Sequence, residues 1–129
     1  MRARPSWATT EEFAVQPAAR PRPRFLTDRR GVLCDANLDA CLVLDLGRGY
    51  LMGKRLALLI DRRDVPLLEH LLQSIAPAQR GAGSLHMRSR TGALHAVEIE
   101  ASLTAASKQV IWTARLQGRD AARLPRAVA

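Results

Sequence analysis

The spacing of apolar residues in the first third of the chain predicts two strands followed by a short helix. Short apolar runs at 25–27 and 32–34 fit a hairpin, with Gly31 supplying the positive φ that its turn requires. Asn37 is a suitable N-cap, because its side chain can accept a hydrogen bond from an otherwise unpaired backbone N–H group. We therefore expect a helix that begins after Asn37 and runs to about Leu44.

A longer amphipathic helix is predicted over about 64–76. Asp61 and Asp64 can each cap a helix start, and Pro77 ends the helical stretch. Apolar residues spaced three and four apart form one stripe on this helix, which should face a core. The stripe consists of Leu68, Leu71, Leu72 and Ile75.

The last third of the chain changes to a period of two, which is typical of half-buried antiparallel strands. After a predicted linker at 81–83, strands are expected at 85–88, 97–103 and 109–116. Together with the N-terminal hairpin these strands predict an α+β fold, because single strands and helices do not alternate. We expect one five-stranded antiparallel sheet with the helices on one face, and an apolar pocket between the long helix and the sheet.

The register of the second hairpin follows from keeping the apolar residues of both strands on one face. This condition favours a three-residue loop at 91–93 over a two-residue loop. The resulting register places His86 beside Glu98 on the solvated face, with Arg88 on the diagonal.

Composition indicates one folded domain with two tails. The chain has 129 residues, of which 47% are hydrophobic and 25% charged, as is ordinary for a globular domain. We divide it into a flexible Arg- and Pro-rich tail at 1–24, a folded domain at 25–118 and a second tail at 119–129. Capping-box spacing within the first tail predicts a short cap helix at 9–16.

The net charge of +8 raises the question of nucleic-acid binding. The two tails carry +3 and +2, which leaves +3 for the folded domain, and aromatic residues that stack on bases make up only 4% of the chain. We therefore do not expect the folded domain to bind nucleic acid directly. No apolar run approaches the roughly 20 residues that span a bilayer, so we expect a cytoplasmic protein without a membrane partner.

Cys34 and Cys41 lie seven residues apart and lack the spacing of zinc ligands. We expect two small buried apolar side chains in a reducing compartment. A redox-sensing pair is the alternative.

Several short motifs occur in the order and spacing of the PAS sensor family. They are T-D-x-x-G at 27–31, D-A-N at 35–37, L-x-G-K-x-L at 51–56, and R-T-G at 90–92 ahead of V-E-I at 97–99. The domain therefore resembles a PAS domain. This resemblance implies a sensor or dimerisation module, which is usually joined to a kinase, a cyclic-nucleotide enzyme or a helix-turn-helix DNA-binding output.

A ligand pocket in such a domain would lie between the inner sheet face and the helices. His95 shares the strand parity of Val97 and Ile99, which makes it a candidate for a polar contact in the pocket. A sheet-end histidine bonded to backbone or water remains open for His95, as does plain core packing for Trp112. The candidate pocket residues are Cys41, Leu68, Leu72, Met87, His95, Val97, Ile99 and Trp112.

The sequence names no cofactor, and it argues against flavin and haem, which PAS domains are known to bind. Flavin photochemistry in the family needs an Asn-Cys-Arg-x-x-Gln helix motif, and neither cysteine has these neighbours. Haem ligation uses a histidine of the long helix that points into the pocket, whereas His70 lies about 160–200° around the helix from Leu68. No catalytic motif or metal-ligand spacing is present in the sequence, so we expect a non-enzyme.

Three hypotheses for the function follow. The first is a non-catalytic sensory or regulatory module in signal transduction, which binds a small apolar ligand or a protein partner and acts as a homodimer. Its output partner would be a kinase or a transcription regulator. The second is a ligand-free protein-interaction domain, and the third is the N-terminal part of a DNA-binding transcriptional regulator.

Overall fold

The computed structural model describes residues 22–106 and 108–117. Residues 1–21 and 118–129, which include the predicted cap helix at 9–16, lie outside the described residues, whereas Arg24 of the predicted first tail belongs to the first strand. The described strands are β1 (Arg24–Asp28), β2 (Leu33–Ala36), β3 (Arg80–Arg88), β4 (Leu94–Leu103) and β5 (Gln109–Leu116). The described helices are α1 (Leu38–Leu44), α2 (Arg48–Leu51) and α3 (Val65–Ser74), with 3-10 helices at Leu56–Leu59 and Arg62–Asp64.

The five strands form one antiparallel sheet in the order β2-β1-β5-β4-β3. The helices pack on one side, called here the inner face, and the core lies between them and the sheet. Phe25, Ile99 and Trp112 belong to the inner face, whereas Glu98 and Ile111 alternate with them on the outer face. The predicted α+β fold with helices on one face is confirmed.

The turn between β1 and β2 forms around Asp28. Its carboxylate oxygen Oδ1 accepts hydrogen bonds from the backbone N–H groups of Arg30 at 2.8 Å and Val32 at 3.0 Å. Gly31 has a φ of 87°, which L side chains adopt rarely. The hairpin and its turn glycine are therefore as predicted.

Asn37 caps α1 as expected and also joins the helix to the sheet. Its side-chain oxygen accepts hydrogen bonds from the backbone N–H groups of Ala40 and Arg24, each at 3.0 Å. One side chain thus provides the hydrogen-bond acceptor for a backbone N–H group in the first turn of α1 and for another at the start of β1.

The long helix α3 ends at Ser74 and is therefore shorter than the predicted range of about 64–76. Its apolar stripe is confirmed: Leu68, Leu71 and Ile75 are buried, and Leu72 packs against the core while partly exposed. Asp61 and Asp64 occupy N-cap positions as predicted, Asp61 before the 3-10 helix at Arg62–Asp64 and Asp64 before α3. Neither Asp61 nor Asp64 makes a side-chain capping bond, because both carboxylates bind groups of β3 instead.

The predicted linker at 81–83 is wrong, because these residues lie inside β3. The two glycines in this stretch permit close packing of α3 on the strand. A Cβ atom at Gly81 would lie 2.9 Å from Leu71 Cδ2, and one at Gly83 would lie 2.8 Å from Leu67 Cδ2. Glycine indicates a close approach here and not an interruption of the strand.

The predicted register of the second hairpin is off by two residues, although the predicted face of each residue is right. Arg88 pairs with Leu94, so residues 89–93 form the connection. His86 therefore lies opposite Ala96 and not opposite Glu98. The turn is longer than the period-two pattern required, because that pattern constrains only the parity of the register.

Candidate functional site

The residues predicted to line a pocket come together in the core. Five of them are at most 1% exposed and belong to one cluster: Leu68, Met87, Val97, Ile99 and Trp112. Cys41 and Leu72 are partly buried and pack against this cluster. His95 is half-buried and lies opposite Met87 on the neighbouring strand. The inner face is thus occupied by side chains of the chain itself.

The helix side of this cluster is held close to β3 by the glycines at 81 and 83. With only hydrogen on each Cα, Leu67 and Leu71 of α3 reach the strand backbone. Gly31 allows a similar approach for Leu72, whose Cδ1 would lie 3.1 Å from an added Cβ. Any change in the separation of α3 and the sheet must therefore move these leucine contacts.

The apolar core contains a polar pair that the sequence pattern did not predict. The indole N–H of Trp112 donates to the hydroxyl oxygen of Thr27 at 2.9 Å, and both residues are fully buried. The parity of Thr27 with Phe25 in β1 could have placed its hydroxyl on the inner face. The pairing of β1 with β5, which brings the two residues together, has no local signal in the sequence.

His70 points away from the core, as its helical position predicted. It is exposed on α3, and its backbone carbonyl accepts a hydrogen bond from the Ser74 hydroxyl at 2.7 Å. The candidate haem ligand of the sequence therefore lies outside the core.

The two cysteines are free and lie in separate clusters. Cys41 packs against the main core, whereas Cys34 contacts Leu26 and Ile111 in a small apolar patch on the outer face. Burial raises the pKa of the Cys41 thiol, and the nearby Arg48 guanidinium opposes this effect only in part. The alternative of a redox-sensing pair gains no support from this arrangement.

The outer face of the sheet holds an open groove of about 450 Å³. Its lining includes the ion pair of Arg115 Nη2 with Glu98 Oε1 at 2.6 Å, and Glu100 of the lining lies 3.7 Å through Oε1 from Arg80 Nη1. Glu98 thus pairs across to β5, and not with His86 or Arg88 as the predicted register implied. The groove and the neighbouring apolar patch give this face a mixed polar and apolar character.

A polar cluster joins the segment before α3 to the free edge of β3. Asp61 accepts hydrogen bonds from Arg63 Nε at 2.8 Å and Arg88 Nη2 at 3.1 Å, and its own backbone N–H donates to the His86 carbonyl at 2.8 Å. Asp64 Oδ2 accepts from the His86 backbone N–H at 2.8 Å and lies 3.1 Å from His86 Nδ1. The Arg63 guanidinium, through its hydrogen bond, is the main cause that lowers the pKa of the Asp61 carboxyl.

Asp61, Asp64 and His86 each offer one possible metal-ligand atom. These three atoms lie within 4.8 Å of one another, which is a spacing that a metal ion could use. Both oxygens of Asp61 are bound by guanidinium groups, however, and Asp64 Oδ2 is bound by the β3 backbone. The cluster therefore binds the segment before α3 to the edge of β3 and covers that edge. We call this set of hydrogen bonds the clasp on β3.

Among the residues that the structure describes, no helix is both long and apolar enough to cross a membrane.

Comparison with known proteins finds similarity in structure only. No protein-family model and no curated protein matches the sequence. The PAS domain of an HTR-like protein from Haloarcula marismortui superimposes with a TM-score of 0.70 at 16% identity, covering 83% of this chain and 87% of that chain.

Two further solved structures are similar over most of their length. One is a domain of a sensory box sensor histidine kinase/response regulator from Geobacter sulfurreducens, with a TM-score of 0.65, 20% identity and coverage of 73% of this chain and 82% of that chain. The other is the PAS domain of a LuxR-family transcriptional regulator from Burkholderia thailandensis, with a TM-score of 0.62, 20% identity and coverage of 74% and 88%. Together with the five-stranded antiparallel sheet and its helices on one face, these similarities confirm that this chain has the PAS fold.

Proposed function

We propose that this chain is a non-catalytic sensory or regulatory module of signal transduction that acts as a homodimer. Structurally similar domains come from a sensor histidine kinase/response regulator and from a LuxR-family transcriptional regulator. These similarities support an output kinase or a transcription regulator as the partner of this chain.

The observation that carries the proposal is the alternation of core and outer-face residues on the central strands. Trp112 is fully buried in the core, while its neighbours Ile111 and Thr113 face the outer side of the sheet. Because successive residues of a strand point to opposite faces, a backbone shift that accommodates a new packing of Trp112 also moves the outer face. A change in the core can thus reach a dimer contact on the other side of the sheet.

The input would be a small apolar ligand or a protein partner that changes the packing of the core. A ligand can shift the packing only if it binds the two arrangements with different affinity. Its contacts would be the residues of the core cluster and its margin: Cys41, Leu68, Leu72, Met87, His95, Val97, Ile99 and Trp112.

The ligand part is tested on the freshly purified full chain by native mass spectrometry and thermal-shift screening. We expect a bound mass that is released on denaturation, or a small apolar compound that raises the melting temperature. If neither is found, the ligand part of the proposal fails.

The dimer part is tested by sedimentation of the full chain and of two variants. Ile111→Asp places a charge on the outer-face apolar patch and should convert the dimer to a monomer. Gln73→Asp, on the exposed side of α3, should leave the dimer intact. A monomeric wild-type chain, or dimers that resist Ile111→Asp, would contradict the proposed interface.

The ligand-free interaction domain is the second candidate, and the close packing of α3 on β3 favours it. Leu67 and Leu71 already contact the strand at the two glycine positions, so little space remains there between α3 and the sheet. This candidate predicts a dimer or a captured partner without any bound small molecule. The mass spectrometry and sedimentation results together distinguish the two candidates.

A further inference from the structure

The positive charge of the folded domain is concentrated in residues 48–63, called here the basic segment. This segment has five basic residues and one acidic residue, a net charge of +4, whereas the domain at 25–118 has twelve and nine, a net charge of +3. The rest of the domain therefore carries one net negative charge. A localised charge of this kind attracts partners of the opposite sign more strongly than the same charge spread over the surface.

Three of these five cations contact no carboxylate of the described residues. Arg48 pairs with Asp35 at 2.6 Å and Arg63 pairs with Asp61 at 2.8 Å, so these two charges are compensated within the fold. The charges of the other three have no such partner, and they belong to Lys54, Arg55 and Arg62.

The basic segment also presents apolar surface. Leu58 is 67% exposed and Tyr50 is 58% exposed, which makes them the two most exposed large hydrophobic side chains among the described residues. A single exposed leucine needs no explanation, but two such side chains among unpaired cations form a mixed surface. Such surfaces suit protein partners, in which apolar anchors are surrounded by polar contacts.

Backbone and ring contacts connect Tyr50, Lys54, Arg55 and Leu58 to the fold and to one another. The Lys54 ammonium lies 4.7 Å from the centre of the Tyr50 ring, and the Lys54 carbonyl accepts a hydrogen bond from the Leu33 N–H at 2.8 Å. Arg55 forms an antiparallel bridge with Val32 beside β2. The Leu58 N–H donates to the Arg55 carbonyl at 2.9 Å, which joins the 3-10 helix at Leu56–Leu59 to the residue before it.

We propose that the basic segment is a docking surface for an acidic protein segment that carries apolar side chains. The acidic groups would pair with Lys54, Arg55 and Arg62, and the apolar groups would pack on Tyr50 and Leu58. This surface goes beyond the proposed function, because it lies apart from the outer sheet face and needs neither a bound ligand nor a dimer.

Other occupants fit the basic segment less well. Nucleic acid would use an aromatic ring for stacking, but Lys54 covers one face of the Tyr50 ring, and phosphates gain nothing from Leu58. The segment cannot lie in a membrane interface as a long amphipathic helix, because its helices have three or four residues.

The chain itself is also a poor occupant of this surface. Both of its tails carry net positive charge, and the two carboxylates of the first tail, Glu11 and Glu12, lie in a segment with five arginines, so the net charge of either tail opposes docking on the basic segment. Of the four exposed acidic residues that the structure describes, Asp45, Glu98 and Glu100 already pair with arginines, which leaves a second copy only Glu69 to offer. An acidic segment of another protein remains as the occupant.

Binding is tested with the full chain and a fluorescent peptide of alternating glutamate and leucine. Arg55→Glu should weaken binding about fivefold or more, as expected when an exposed ion pair becomes a repulsion. Lys108→Glu is the matched control, because it makes the same change of charge at an exposed position outside the segment and should weaken binding less than about twofold. Leu58→Ser should weaken binding of this peptide but not of a peptide of glutamate alone.

The two lysines of the chain give an independent readout. A carbodiimide that joins lysine amines to carboxylates should attach the peptide to Lys54 in preference to Lys108, as seen by peptide mass spectrometry. Thermal melts of each variant check that the fold is retained, and the cross-linking of the wild-type chain needs no variant at all.

The proposal is overturned if Arg55→Glu and Lys108→Glu weaken binding equally and both lysines are cross-linked alike, because binding then reflects net charge alone. It is also overturned if single-stranded DNA or vesicles of anionic phospholipid bind more tightly than the peptide and with the same dependence on Arg55. If the chain proves monomeric in the sedimentation experiment, the peptide-binding and cross-linking results are not affected. The two proposals can therefore fail independently.

Discussion

Trp112 and Thr27 form a hydrogen-bonded pair inside the core, with the indole N–H donating to the hydroxyl oxygen at 2.9 Å. The bond runs diagonally between β1 and β5, because Trp112 pairs in register with Phe25. The Thr27 hydroxyl in turn donates to the Asp28 carbonyl at 2.8 Å, at the start of the β1–β2 turn. The largest side chain of the core is thus oriented by a hydroxyl at the edge of the first hairpin.

Replacing Thr27 with Val should destabilise the fold by about 1–3 kcal/mol, because the buried indole N–H of Trp112 loses its acceptor. Chemical denaturation measures this loss, and the fluorescence of Trp112 should change with it. Thr27→Ser keeps the hydroxyl and should restore the indole contact.

Thr113→Val is the control for this change, since Thr113 lies on the outer face of β5 and its hydroxyl has no partner in the core. It should change stability by less than about 0.5 kcal/mol. Equal effects of the two valine substitutions would show that the hydrogen bond to Trp112 contributes nothing specific.

Gly81→Ala should destabilise the fold by about 1–3 kcal/mol through overpacking. The new Cβ would lie 2.9 Å from Cδ2 of Leu71, which is buried and has little room to move. Thermal or urea melts of the variant measure the effect.

Gly49→Ala is the matched control, because nothing lies within 4 Å of an added Cβ there and alanine favours the helical backbone of α2. This variant should be neutral or slightly more stable. If Gly81→Ala were also neutral, α3 would not be held close to β3 at this position.

Stability should fall in acid partly through Asp61. Its carboxyl pKa is lowered in the folded state, chiefly by the hydrogen bond from Arg63. A lowered folded pKa adds stability above the unfolded value of about 4, and this addition disappears as the pH falls through the folded value. Asp61→Asn should therefore be less stable at neutral pH and show a flatter decline below about pH 4 in urea melts.

Asp45→Asn serves as the comparison for this measurement. Asp45 pairs with Arg90 at 3.3 Å on the exposed surface, and its φ of 57° suits asparagine as well. The Asp45→Asn variant should lose less stability at neutral pH than Asp61→Asn, because an exposed ion pair contributes little. An unchanged profile for Asp61→Asn would mean that the clasp on β3 does not depend on the carboxylate charge.

Cys41 should react slowly with iodoacetamide at neutral pH. Burial raises the pKa of its thiol, so less of the reactive thiolate is present than in a free thiol. Alkylation followed by peptide mass spectrometry measures the rate at Cys41 against added N-acetylcysteine as an internal standard. The rate should rise with pH, and a rate at neutral pH equal to that of the standard would contradict the burial of this side chain.

Local patterns in the sequence determined the elements of the fold. The apolar stripe of α3 follows from helical spacing, the cap at Asn37 from its side-chain chemistry, and the inner-face parity of β4 from strict alternation. These features depend on residues only a few positions apart. The short motifs spread along the domain were enough to predict the PAS fold.

Only the tertiary structure decided which distant groups meet. The period-two pattern allowed more than one register with the same faces. The hydrogen-bonding partner of Glu98 is Arg115, and only the folded sheet shows this pairing. The role of Gly81 as a close-packing position, and not as a linker, depends on α3 lying above it. The acceptor for Trp112 likewise depends on β1 pairing with β5, because a hydrogen bond between residues 85 positions apart has no local signal in the sequence.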